Sequence, residues 1–157
     1  MKKILGLFVL AFAVLGLAAC SSKDANGIPN VLQDKYTGYS SDSASGGSVF
    51  SSGSSELVFD KKNNTITNTS SDDKDYFKVI PEDKLNTEAK GALVNHKSEV
   101  DGKDHFFISV SPYKENLNSE VFVYCVILTD GGKSIRILEL EHSGKVDGWY
   151  DFIGQAD

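Results

Sequence analysis

Residues Val121 to Leu128 read Val-Phe-Val-Tyr-Cys-Val-Ile-Leu, an unbroken apolar run stopped by Thr129-Asp130-Gly131-Gly132-Lys133. A short run rich in β-branched and aromatic residues and bounded by turn signals reads as a strand. Because the run does not alternate, neither face is left to water. Such a strand is covered on both sides, or lines an interior that is itself filled. Ser134 to His142 returns the chain from the turn, so the two make a hairpin at the heart of the fold.

The same grammar repeats along the chain. Leu57-Val58-Phe59, Lys61-Lys62-Asn63-Asn64 and Thr65-Ile66-Thr67 spell another hairpin, and Tyr76 to Ile80 is a strand stopped by Pro81. Lys97 to Val100 meets Asp101-Gly102, whose residue types suit the positive φ of a tight hairpin turn. His105 to Ser111 is its expected partner, with Phe106, Ile108 and Val110 on one face. Ser143-Gly144-Lys145 turns the chain again, and Val146 to Ile153 closes it with Trp149, Tyr150 and Phe152. At least two of these three aromatics are expected in the core. One short helix is expected around 81–92, with Pro81 in its first turn and Glu82 and Asp83 at the positive end of the dipole.

About eight strands joined by short turns make the chain mainly β, an antiparallel barrel or sandwich with meander-like order. Two stretches stand outside the pattern. Ser21 to Lys35 is small and polar, with Val31-Leu32 as its apolar pair, and reads as a tether with a reach of about 20 Å. Ser40 to Ser55 holds nine serines and three glycines in sixteen positions, either a flexible segment or weak strands around Val49-Phe50.

The beginning of the chain has a different character. Lys2 and Lys3 precede Ile4 to Ala19, sixteen residues without a charge, short for a membrane span of roughly 20. A basic start, a compact apolar stretch and small residues before a polar chain are the layout of an export signal. Leu17-Ala18-Ala19-Cys20 resembles the lipobox of bacterial lipoproteins. That resemblance implies that 1–19 is cleaved and that Cys20 carries a diacylglyceryl group on its sulfur. Two acyl chains hold stably where one holds only reversibly. Lys35-Tyr36-Thr37-Gly38-Tyr39 is faintly similar to the first-strand Gly-x-Trp of lipocalin-like barrels, with Tyr39 as the aromatic.

The expected domains are thus signal 1–19, lipidated cysteine and tether 20–35, and β domain 36–157. The expected address is the extracytoplasmic face of the cell membrane, or the outer membrane in a host with two. Loss of Lys2 and Lys3 leaves 14 basic against 22 acidic residues, a net charge of −8 over 138 residues. An acidic body has no electrostatic attraction for nucleic acid or for an anionic bilayer surface, so the lipid must provide attachment. The remaining length is also too small for the two lobes of a solute-binding subunit.

The chemistry-bearing residues are few. With Cys20 acylated, Cys125 is unpaired and reads as a small buried hydrophobe. His96 and His105, expected on opposite arms of one hairpin, would approach Asp104 or Glu141, and His142 is the third histidine. No His-x-His or helical His-x-x-x-His spacing supports a metal site, and none is expected. Asp72-Asp73-Lys74-Asp75 reads as a solvated turn rather than a calcium loop. Asn63-Asn64-Thr65 and Asn68-Thr69-Ser70 read as turn chemistry. Glu139 and Glu141 share a face with Ile135 and Ile137, so the strand either passes from the core to a solvated rim, the preferred reading, or lines a partly polar cavity. No nucleophile–base pair or phosphate loop is present, so neither catalysis nor a cofactor is expected. Trp149 and Arg136 are the candidate contacts for a ligand or an envelope partner of a monomeric, non-enzymatic domain.

Overall fold

The strands order themselves as the hairpins demand. They are β1 (Lys35–Ser40), β2 (Gly53–Asp60), β3 (Thr65–Asn68), β4 (Asp73–Ile80), β5 (Asp104–Ser111), β6 (Phe122–Thr129), β7 (Ser134–His142), β8 (Lys145–Val146) and β9 (Asp151–Gln155). The computed structural model describes residues 22–46, 48–119, 122–142, 145–146 and 148–157, with backbone alone at 119, 141, 142, 145 and 146. The 1–19 segment, Cys20 and the side chains of Glu141 and His142 lie outside what is described. Each strand from β1 to β7 pairs antiparallel with the next, β7 pairs with β9, and β9 pairs with β1. The result is a closed eight-stranded meander barrel, with β8 a two-residue flank on β7.

Closure depends on one tight seam. Gly38 opposes Gly154 across β1 and β9, and a Cβ at Gly38 would stand 2.3 Å from the Ile153 carbonyl oxygen. Only a residue without a side chain lets the first and last strands approach. The barrel interior is filled by inward side chains of alternating positions, among them Leu57, Phe77, Phe106, Ile108, Val126, Ile137 and Phe152. Phe106, Ile108 and Val110 share the inner face of β5, as their spacing predicts.

The doubly apolar β6 is explained by a second cluster on the outside. Phe107, Val123, Cys125, Ile127, Leu138 and Leu140 face outward on β5–β7, under Leu85, Ala89 and Ala92. Those three recur at helical spacing on the chain leading into and through helix α1 (Thr87–Asn95), whose small alanines let it lie close to the wall. Tyr124 and Cys125 therefore point to opposite sides of one buried strand. Tyr150 and Phe152 are core residues, while Trp149 is not.

Four expectations are corrected. The helix does not start at Pro81, whose ψ of 140° is extended; a 3-10 turn (Glu82–Lys84) follows it, and the true cap is Asn86, whose side chain accepts the Ala89 N–H. Lys97–Val100 is not a strand but a further helical turn, α2, so Asp101-Gly102 joins a helix to β5. The 20–35 tether is not loose over its described part. Ile28 and Leu32, each 1% exposed, sit in the barrel core, and the folded domain begins by Ser22. The polar composition of that stretch hides two apolar residues four apart. Finally, Asp75 and Glu139 are buried rather than solvated, as described next.

Candidate functional site

The barrel has two ends. The floor carries residues 22–34, the 61–64 and 130–133 turns and the two ends of the 81–103 excursion, whose helix α1 lies along the outer wall against β7 and β8. Among the described residues the mouth carries 41–46, 48–52, 69–72 and 148–150, while the 3-10 turn Lys114–Ser119 packs back against β4 and β5. The Ser/Gly-rich segment turns into the mouth, where Val49 and Phe50 join the interior cluster. The Phe50 ring lies 4.7 Å from that of Tyr124 and stacks at 4.9 Å on Tyr150.

A buried loop without strand partners must find its backbone hydrogen bonds elsewhere. Three inward polar side chains supply them. Asp75 accepts from the Val49 N–H and the Ser48 hydroxyl, each at 3.1 Å. Asn68 donates to the Val49 carbonyl at 2.9 Å and accepts the Ser70 N–H at 3.0 Å. Glu139, 2% exposed, accepts the Ser45 N–H at 2.9 Å on Oε1. Its Oε2 accepts the N–H groups of Trp149 at 3.1 Å and Tyr150 at 3.3 Å. The Tyr124 hydroxyl donates to the Gly46 carbonyl. Gly148 has no room for a side chain, since a Cβ there would lie 2.2 Å from the Glu139 carboxyl.

These residues were legible only by parity. Asp75 alternates with Phe77 and Val79, Asn68 with Ile66, and Glu139 with Ile135 and Ile137. A polar residue in step with a core face is itself core, and here each one holds a loop. Burial pushes the Tyr124 phenol well above its ordinary value, with the neighbouring Glu139 charge acting in the same direction. Burial alone raises that of Tyr150, whose hydroxyl finds no hydrogen-bond partner among the described residues. The Asp75 and Glu139 oxygens are taken up by backbone N–H and hydroxyl donors, an arrangement that holds chain rather than one open to substrate.

The remaining candidates fall elsewhere. Trp149 stands on the rim with 76% of its surface exposed, on a backbone fixed by Glu139. Arg136 is on the outer wall, where its guanidinium grips Asp151 with two hydrogen bonds of 2.8 Å and reaches Glu99 at 3.3 Å. It ties β7, β9 and α2 together and does not face the interior. The structure does not place Arg136 and Trp149 in a common cavity. His96 contacts Glu99 at 2.8 Å, and His105 bonds the Lys103 carbonyl at 2.9 Å. The expected hairpin pairing of these histidines is absent because residues 97–100 are helical. Among the described residues no group of three His, Cys, Asp or Glu is arranged to hold a metal, and no helix is long and apolar enough to cross a membrane. Cys125 is buried under α1, with its thiol pushed up to about 12 by desolvation.

Fold and site together define a closed meander barrel stoppered at both ends by its own chain, with a fixed aromatic on its rim. Compared with known proteins, the chain matches no family profile, no curated protein and no solved structure.

Proposed function

We propose that this chain is a lipoprotein of the bacterial cell envelope, anchored through Cys20, whose barrel engages a protein partner outside the cytoplasm and performs no catalysis. The observation that carries the binding role is Trp149. A large aromatic, 76% exposed on a backbone immobilised by a buried carboxylate, has the rigidity and amphipathic surface found in binding hot spots. The interior speaks against carriage of a small ligand, because Val49 and Phe50 at one end and Ile28 and Leu32 at the other already fill it. The Leu17-Ala18-Ala19-Cys20 sequence supports the anchor.

The test has two arms. In cells fed a labelled fatty acid, wild type should take up label and sediment with membranes, and Cys20→Ala should do neither; continued labelling of the variant defeats the anchor. A photo-crosslinking residue at position 149 should trap one stoichiometric envelope protein, whereas the same group at Lys62 on the floor should not. Equal yields from both positions defeat the rim as the recognition surface.

A further inference from the structure

We infer that the floor of the barrel rests directly on the lipid bilayer, so that the mouth and Trp149 are held away from the membrane; this rests on the Cys20 anchor proposed above. The argument is one of slack. A free tether of fifteen residues would reach about 20 Å and let the domain tumble. The described chain has no such freedom. The Ser22 carbonyl accepts the Asn30 N–H at 2.9 Å, and its hydroxyl accepts the Asn30 side chain at 2.8 Å. Lys23 bridges to Pro29 in a short antiparallel contact. Asp24 holds the turn by accepting the N–H groups of Asn26 and Ile28 at 2.8 and 2.9 Å. Ile28 and Leu32 then sink into the core, and Lys61 donates to the Leu32 carbonyl at 2.9 Å.

Between Cys20 and this fixed point lies one residue, Ser21. Two residues span at most about 7 Å fully extended. The polar layer of one bilayer leaflet is roughly 5–8 Å deep, half the difference between the full and hydrocarbon thicknesses. The connection is therefore used up in crossing the headgroups, and Ser22 must sit at their outer edge.

Ser22 opens the 22–34 segment, which crosses the floor, and the mouth stands about 20 Å higher along tilted strands of this length.

The experiment uses the full lipidated chain in vesicles of phosphatidylcholine and phosphatidylglycerol that include a headgroup spin-labelled lipid. A fluorophore is attached at Lys62→Cys on the floor or at Ser71→Cys at the mouth. Cys20 is blocked by its thioether and Cys125 is buried, so the introduced thiol is the reactive one. Most of the fluorescence should be quenched at position 62 and essentially none at position 71. Equal quenching, or stronger quenching at position 71, overturns the orientation. Inserting a long Gly/Ser linker between Ser21 and Ser22 should erase the difference, and its persistence would overturn the slack argument. Wild-type protein that fails to bind vesicles defeats the anchor itself, an outcome distinct from bound protein lying the wrong way up.

Discussion

The two ends of the barrel solve the same problem by different means. At the floor the stopper is a short segment running straight into β1, and its work is done by apolar pegs, Ile28 and Leu32. Its main polar tie is satisfied at both atoms: the Tyr36 hydroxyl donates to the Gly132 carbonyl at 2.7 Å and accepts the Gln33 N–H at 2.9 Å. At the mouth the stopper is a Ser/Gly-rich loop that buries Val49 and Phe50 with Ala44 partly covered, and it needs Asn68, Asp75 and Glu139 to hold its backbone. A stopper with little apolar surface depends on polar anchors, and polar anchors are costly when any partner is removed.

The largest effects should come from the pegs themselves. Phe50→Ala empties the space between Tyr124 and Tyr150 and should destabilise the fold by about 4 kcal/mol, against about 3 kcal/mol for Leu32→Ala at the floor. Urea titration of the two variants measures both. A negligible loss for Phe50→Ala would show that the mouth loop is a dispensable cover, and the comparison would fail.

Glu139→Gln comes next. The amide keeps the volume but has only one acceptor oxygen for three N–H groups and places an NH2 where a donor is not wanted. The expected loss is about 2 kcal/mol, in line with hydrogen bonds to a charged group. The floor offers no counterpart, since no carboxylate stands inside it. A loss below about 0.5 kcal/mol, the usual size for a surface substitution, would place the Glu139 carboxylate in water rather than in the barrel.

The contrast between pegs and anchors also explains what the sequence disclosed. Strands with regular alternation, such as Phe106-Ile108-Val110, were legible because period and burial agree. The doubly covered β6 announced a second layer without naming it. Closure was not legible, because β1 meets β9 across more than a hundred residues and no local pattern encodes that pairing. The Asp101-Gly102 turn was read as a hairpin because the same dipeptide serves to leave a helix. Asp75 and Glu139 were taken for solvated residues because their type outweighed their parity. Of the two candidate contacts, Trp149 is exposed on the rim, while Arg136 is engaged by Asp151 and Glu99 on the outer wall.

Alkaline pH provides a test that reads the wall first and both ends of the barrel at higher pH. A thiol whose value is raised by burial favours the neutral form in the fold, so its contribution is complete below the unfolded value and is lost as pH rises through the folded one. For Cys125 that window runs from the ordinary 9.0 to about 12. At pH 10 the expected loss is on the order of 1 kcal/mol, from about one unit of differential titration. Cys125→Val should flatten stability between pH 9 and 10. Tyr36 at the floor and Tyr124 and Tyr150 at the mouth, all raised by burial, should steepen the decline above pH 10 whether or not Cys125 is present. A pH-independent midpoint up to pH 11 would mean that these groups are not sequestered.

The smallest effect is the most discriminating, because its sign is reversed. Tyr36 at the floor and Tyr150 at the mouth are both buried phenols, but the first has two hydrogen-bond partners and the second none among the described residues. Tyr36→Phe strands the Gly132 carbonyl and the Gln33 N–H, and should cost about 1–3 kcal/mol. Tyr150→Phe keeps the ring stacked between Phe50 and Phe152 and removes only an unsatisfied hydroxyl, so it should raise stability by about 1 kcal/mol. A gain of that size, seen as a higher urea midpoint with unchanged slope, would show that the mouth has been left short of its best packing where the floor has not. A loss on Tyr150→Phe would instead reveal a partner for that hydroxyl inside the barrel, and with it an interior less completely filled by the chain's own residues.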